Sequence, residues 1–244
     1  MSNRTVIAGV GMIPFVKPGT SPHYDEMGEQ ATRLALADAG LDYGLVQQAY
    51  AGLVYGDSAS GERALYRVGT TGIPVFNVNN NCSSGSNALF LARQAVACGA
   101  VECALALGFE EMRPGALFDV FSDRPSALGA FNEIANRKFE GAEEIPPAIR
   151  LFAGAGYEYQ QKYGAKTETF AKVREKASRH AVHNDKAIFR KVINWEEVMA
   201  SPRLFLNMTR LQACPPTSGA AAAVVCSEAF AKRHRLRTDV VVLG

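Results

Sequence analysis

The stretch FNVNNNCSSGSNALFLARQA, residues 76–95, decides how the chain is read. A short apolar run leads into three asparagines, Asn79, Asn80 and Asn81, and then a single cysteine, Cys82. Ser83, Ser84, Gly85 and Ser86 follow, and an apolar helical pattern begins behind them. A thiol therefore stands at a strand-to-helix junction. The thiolate is the nucleophile, and an ordinary thiol, with a pKa of about 8.5, is mostly protonated at neutral pH. A helix N-terminus favours the anion, because unpaired N–H groups and the helix dipole point at it. The small residues after Cys82 leave those groups open to a substrate. Cys82 thus has the position of a covalent catalyst. A cysteine also packs as a small apolar side chain, so the residues alone leave both readings open.

Outward from that junction, secondary structure alternates. IPVFNVN (73–79) is a strand whose continuous apolar character predicts burial on both faces. Residues 83–98 are a helix, apolar nearly all round through Ala88, Leu89, Phe90, Leu91, Ala92, Ala95, Val96 and Ala97, which predicts a buried helix. Strands are predicted at 4–15, 48–56 and 101–109, and a helix over 25–39, with Asp25 as its cap and Gly40 just past its end. This order predicts an α/β fold with a mixed, mostly parallel sheet and helices on both faces. From about 112 to 205 the texture changes. Charge rises, Pro114, Pro125 and EIPPAIR interrupt, and helical patterns appear near 150–163 and 167–183. Strand texture returns at GAAAAVVC (219–226) and DVVVLG (239–244), so the middle is expected to be an insertion folded over the sheet.

Composition narrows the function classes. Hydrophobic residues make up 48% and charged residues 20% of 244, enough for one large domain with a sizeable insertion. A net charge of +2 gives no reason to expect nucleic acid as a partner. No apolar run reaches the roughly 18 residues of a membrane span. The start, MSNRTVIAGVGM, enters a strand almost at once, so no signal peptide is expected. The five cysteines, Cys82, Cys98, Cys103, Cys214 and Cys226, show no CxxC spacing, which suits a reducing compartment and neither a disulfide framework nor a zinc site. All but Cys82 lie in apolar contexts and are expected to be packing residues.

Other motifs carry less. GVGMIP (9–14) begins like a dinucleotide loop, but Pro14 stands where the third glycine belongs. His180 and His183 are three apart with no further ligand near them, and a solvated helix face accounts for them. No G-x-S-x-G elbow supports a serine hydrolase. The basic stretch from Lys162 to Lys191 suits a solvated face, with attraction for phosphate groups as the functional alternative.

Longer stretches add a family likeness. VGMIPFVKPG (10–19), GLVYGDSASGERALYRVGTTGIPVFNVNNNCSSGSNALFLARQ (52–94), ALALGFEEM (104–112), FSDR (121–124), YGAKTETFAKV (163–173), EVMASPRLF (197–205) and LQACPPTSGAAAAVVCSEAF (211–230) carry it. Over essentially its whole length the chain resembles the thiolase superfamily, most closely the sterol-carrier and lipid-transfer type. The resemblance implies that residues 1–115 and 206–244 form the N-terminal half of the thiolase core and that 116–205 form the loop region over the active site. It implies that Cys82 takes an acyl group from an acyl-CoA as a thioester, with its backbone N–H as an oxyanion donor. Asn79 to Asn81 would brace the turn, and Leu151 and Phe152 would line the acyl channel. Coenzyme A would be a co-substrate, with no metal and no permanently bound cofactor. The resemblance also implies a dimer or tetramer, in the cytoplasm or a peroxisomal matrix.

Two departures accompany the likeness. The family's histidine motifs and second cysteine are not in this sequence: His23, His180, His183 and His234 stand in none of them. The chain reaches Gly244 where the second thiolase half would begin. Two readings stay open: a fragment of a longer thiolase, or a half-chain whose partner subunit supplies the missing His and Cys. The surface that half covers is expected to be apolar, so association with a second chain or as a homo-oligomer is expected. The functional alternative is an acyl-CoA or lipid-binding protein without turnover. Second, the family's Asp before GAAAA is Ser218 here, so the local turn is expected to differ.

Overall fold

The computed structural model describes residues 4–113 and 123–243. Pro114, the 115/116 boundary, Phe121 and Ser122 of FSDR, and Gly244 lie outside the described residues. In chain order the elements are β1 (Thr5–Met12), α1 (Tyr24–Ala39), β2 (Gln48–Gly52), α2 (Ser60–Tyr66), β3 (Val75–Val78), α3 (Ser84–Ala97), β4 (Cys103–Glu110), α4 (Gly129–Lys138), α5 (Pro147–Tyr163), α6 (Thr167–Ala181), α7 (Trp195–Ala200), β5 (Arg203–Phe205), β6 (Met208–Thr209), β7 (Gly219–Ser227) and α8 (Glu228–Arg233). They fall into two compact units, one of Met1–Met112 with Thr217–Gly244 and one of Arg113–Pro216.

The first unit is built on a sheet of order β1-β7-β4-β2-β3. The pairs β2–β3 and β2–β4 are parallel, and β7 runs antiparallel to both of its neighbours, β1 and β4. Four strands therefore share one direction, as the sequence pattern predicts. Helices cover both faces. On one, Met27, Ala31 and Ala35 of α1 pack with Val6, Leu105, Leu107 and Val224. Glycine makes that approach possible: a Cβ at Gly11 would lie 2.2 Å from the Ala31 carbonyl oxygen. On the other face Ala88, Ala92, Ala95 and Val96 of α3 pack with Tyr50, Ala104, Ala106 and Val225.

Four local expectations change. The helix 25–39 begins at Tyr24, so Asp25 sits inside its first turn and does not cap it. Its carboxylate instead receives Arg63 Nε at 3.0 Å, and Glu111, just past β4, accepts the Tyr24 N–H at 2.9 Å. Gly40 does end the helix, in the left-handed region at φ 66°. IPVFNVN yields an edge strand, not one buried on both faces, and Phe76 is 45% exposed. The helix after Cys82 is likewise half-covered, with Phe90 51% exposed. An apolar run looks the same whether the sheet continues past it or stops, so periodicity could not separate these cases. DVVVLG is not a ladder strand: it touches the outer edge of β1 through one isolated bridge, Val6 to Val241, with Ile7 N–H donating to the Val240 carbonyl at 3.0 Å.

The second unit has small cores of its own. Ala142, Ala153 and Phe205 form one with Phe139, and Ala171, Ile193 and Val198 form another with Trp195. Asn194 caps α7 in a reciprocal box with Glu197. Residues 203–212 belong here because Thr209 Oγ1 donates to the Val198 carbonyl at 2.8 Å and Asn207 Nδ2 to Gln160 Oε1 at 2.9 Å. Buried Arg150 ties α4 to α5, donating to Asn136 Oδ1 at 2.8 Å and to the Ala142 carbonyl at 2.9 Å.

Candidate active site

Because β4, β2 and β3 are adjacent and parallel, their carboxyl ends lie along one edge of the sheet. Open α/β sheets bind ligands at that edge. Here Cys82 follows β3, Tyr55 follows β2, and Glu110 is the last residue of β4.

The turn carrying Cys82 is held by its polar neighbours. Asn81 has φ 47°, a left-handed conformation that asparagine tolerates better than most residues. Asn79 Oδ1 accepts the Asn81 N–H at 3.3 Å. Ser83 Oγ donates to the Asn80 carbonyl at 2.8 Å and Ser84 Oγ to the Asn81 carbonyl at 2.7 Å. Ser84 Oγ also accepts the Asn80 N–H at 2.9 Å. Ser83 is the residue at the head of α3; its hydroxyl donates to the Asn80 carbonyl and accepts from Asn87 Nδ2 at 3.2 Å, and no side chain caps the helix backbone. Cys82 lies immediately before this uncapped, positive helix end and is exposed.

Three glycines set the helix down. A Cβ at Gly52 would lie 2.4 Å from the Ser84 carbonyl oxygen, and one at Gly108 would lie 3.4 Å from Gly85 Cα. The first turn of α3 thus rests on bare backbone of β2 and β4.

Glu110 ties the neighbouring loop to the same edge. Its Oε2 accepts the Val54 N–H at 2.9 Å and its Oε1 the Tyr55 N–H at 3.1 Å. Burial pushes the Glu110 carboxyl above its ordinary range, against the pull of these N–H donors. Tyr55's phenol is also pushed up, first by burial and then by the charges of Glu110 and Cys82. Tyr55 and Glu110 did not stand out in the sequence. The available signal was a carboxylate placed directly at the end of an apolar strand, in ALALGFEEM.

The other flagged residues fall elsewhere. Cys103 and Cys226 are buried and directly opposed in the β4–β7 ladder. Burial pushes the Cys226 thiol up to about 11 and Cys103 further still. Cys98 and Cys214 are exposed, contrary to their apolar contexts, because one ends α3 and the other lies in a loop. Leu151 and Phe152 are on α5 in the second unit, Leu151 half-buried and Phe152 exposed. His23 pairs with Glu111 at 3.2 Å, and His234 lies against the Phe230 ring. His180 and His183 are exposed in the second unit. Among the described residues no group of three or more His, Cys, Asp or Glu is arranged for a metal. Several cations of the basic stretch are engaged within their unit, Lys172 over Trp195 and Arg179 with Glu175. Ser218 does brace its turn: buried, it accepts the Met112 N–H on Oγ at 3.2 Å and pairs with Val16.

Residues 5–121, which span this edge and the Cys82 turn, match the model of the thiolase N-terminal domain. Over those residues the chain is similar to a thiolase N-terminal domain. Along 99% of its length it is 45% identical to sterol carrier protein 2 of Gallus gallus, of which it covers 44%. It is 38% identical to the non-specific lipid-transfer protein-like 2 of Caenorhabditis elegans, covering 59% of that protein. It is 30% identical to the benzoylsuccinyl-CoA thiolase subunit BbsB of Thauera aromatica, covering 60% of it. The chain thus spans less than half of the sterol carrier protein it matches. Among solved structures, the Ltp2-ChsH2(DUF35) aldolase superposes with a TM-score of 0.75 at 24% identity, over 96% of this chain and 58% of that one. The Acat5 thiolase from Ascaris suum in complex with coenzyme A superposes at 0.71 and 18% identity, over 99% and 70%. These superpositions establish a thiolase fold. Among the described residues no helix is long and apolar enough to cross a membrane.

Proposed function

We propose that the chain is the nucleophile-bearing part of a thiolase-type acyl-CoA acyltransferase, with Cys82 as the acyl carrier. The observation that carries this reading is the placement of Cys82, exposed at a braced turn before an uncapped helix end on the carboxyl edge of a parallel sheet. In this reading the Cys82 thiolate attacks the 3-keto carbon of a 3-oxoacyl-CoA. A C–S bond forms and the keto oxygen becomes an oxyanion, for which the Cys82 N–H supplies one donor. The C2–C3 bond then breaks. Its electron pair leaves on C2 as the enolate of acetyl-CoA, which takes up a proton. The shortened acyl group remains on sulfur until the thiolate of free coenzyme A attacks the thioester and regenerates Cys82. Coenzyme A is a co-substrate. In this reading the first unit acts as the N-terminal core half and the second as the loop region, with Leu151 and Phe152 of α5 lining the acyl channel.

A base is needed to form the thiolate and an acid to protonate the enolate. His23 is engaged with Glu111, and none of His23, His180, His183 and His234 stands in the family's histidine motifs. We assign both proton transfers to groups outside residues 1–244, on a further segment of the same protein or on a partner chain. That lack of a histidine motif favours one other reading, an acyl-CoA or lipid-binding protein that does not turn over alone. Iodoacetamide separates them. Selective labelling of Cys82, suppressed by an acyl-CoA that leaves an acyl-enzyme, supports transfer. Suppression without any acyl-enzyme supports binding alone.

A further inference from the structure

We propose that Cys103 and Cys226 are a site of reversible covalent modification, a dithiol that a small-molecule disulfide oxidises to a cross-strand bond stapling β4 to β7. The site is separate from Cys82 and does not depend on acyl transfer.

Register carries the argument. Cys103 opens β4, Cys226 is the next-to-last residue of β7, and the two stand directly opposite each other at the end of the antiparallel ladder. Opposed residues in such a ladder alternate between pairs that exchange hydrogen bonds and pairs that do not. The bonds around this pair show which kind it is. Ser227 N–H donates to the Glu102 carbonyl at 2.9 Å, so the ladder bond lies just outside the pair. Cys103 turns its own backbone groups to Gln47 instead. Its carbonyl accepts the Gln47 N–H at 3.0 Å, and its N–H donates to Gln47 Oε1 at 3.1 Å. Cys103 and Cys226 are therefore a non-hydrogen-bonded pair, for which Cα atoms stand about 4.5 Å apart with both side chains on one face. A disulfide takes Cα spacings of about 4.4–6.8 Å, so closure needs little backbone movement. Both thiols are fully buried, and both belong to the core cluster under α1.

Position decides what closure does. The chain leaves the first unit after β4 and returns to it just before β7. A bond between Cys103 and Cys226 closes a loop that contains the whole second unit, and long closed loops take the most freedom from the unfolded chain. β4 runs parallel to β2, and β2 to β3, so Cys103 lies at the amino edge of the sheet, opposite the carboxyl edge that carries Cys82. Burial keeps both thiols protonated, Cys226 up to about 11 and Cys103 further still, so closure waits on opening of the ladder end. When it opens, Cys226, the stronger acid of the two, gives up its proton, and its thiolate attacks one sulfur of glutathione disulfide. A mixed disulfide forms and one glutathione thiolate leaves. Cys103 then loses its proton, attacks the Cys226 sulfur and expels the second glutathione thiolate. Two protein thiols are oxidised to one disulfide, and one glutathione disulfide is reduced to two thiols.

The test is incubation of the intact, folded chain in glutathione buffers of rising disulfide content, then acid quench, proteolysis and peptide mass. A linked Cys103–Cys226 peptide is expected to accumulate, while the exposed Cys82, Cys98 and Cys214 carry separate glutathione adducts. The thermal midpoint should rise by about 5 °C or more as the link forms, and dithiothreitol should return it. Cys103→Ala and Cys226→Ala should each lose both the linked peptide and the rise. Each variant is compared with its own reduced form, so a lower starting stability does not obscure the result. No linked peptide from the folded chain, linkage only in urea, linkage that leaves the midpoint unchanged, or an equal rise in Cys103→Ala would overturn the proposal. Peptide mapping of the unaltered chain needs no variant, so it decides the question even where an alanine variant does not fold.

Discussion

Gly52 and Ser84 touch backbone to backbone: a Cβ on Gly52 would come within 2.4 Å of the Ser84 carbonyl oxygen. This contact sets the height of α3 above β2, and with it the place of the Cys82 turn. Gly52→Ala is therefore expected to push the head of α3 outward. Overpacking of this kind costs about 1–3 kcal/mol. Urea unfolding should show that loss, and Cys82 acylation should slow more than stability alone explains. A stability equal to wild type would mean that the helix does not rest on Gly52.

The α1–α2 contact gives a pH dependence. Burial raises the Asp25 carboxyl, but hydrogen bonding from Arg63 and the charge of Arg67 outweigh it and hold it below its ordinary value. A depressed folded-state pKa contributes stability that is complete above the unfolded value of about 3.9. It is lost as pH falls from there through the folded value. Thermal melts should show the loss in this acid window, and Asp25→Asn should melt lower at pH 7 with a flatter acid limb. Parallel acid limbs in the two proteins would contradict the assignment.

Thiol reactivity should sort by burial. Cys82, Cys98 and Cys214 are exposed and should label in the native chain. Cys103 and Cys226 have thiols raised by burial, Cys226 to about 11, and should label only on unfolding. Mass spectrometry after native alkylation counts the two classes. Native labelling of Cys226 would show that the β4–β7 pair opens readily.

Much of this was legible in the sequence, for physical reasons that differ by residue. The Cys82 turn was visible because Asn79 to Asn81 and Ser83 to Gly85 can only serve a tight junction there. The parallel order was visible because apolar strands alternate with helical segments. Exposure of Phe76 and Phe90 was hidden, since an apolar residue looks the same at a sheet's centre and at its open edge. Asp25 misled because a carboxylate near a helix start can cap it or, as here, face a neighbouring arginine. Glu110 was hidden because its partners, the amides of Val54 and Tyr55, lie more than fifty residues away and carry no side-chain signal. Ser218 shows the converse. Its small hydroxyl, expected to change the local turn, is buried and accepts the Met112 N–H.

The most direct measurement is the mass of the protein after incubation with a 3-oxoacyl-CoA, followed by peptide mapping. The account predicts one acyl adduct, on the peptide containing Cys82, that free coenzyme A removes and that Cys82→Ser does not form. When no turnover occurs alone, the adduct should appear on adding the chain that brings the missing base. No adduct in either case, or one shared equally by Cys82, Cys98 and Cys214, would contradict Cys82 as the acyl carrier.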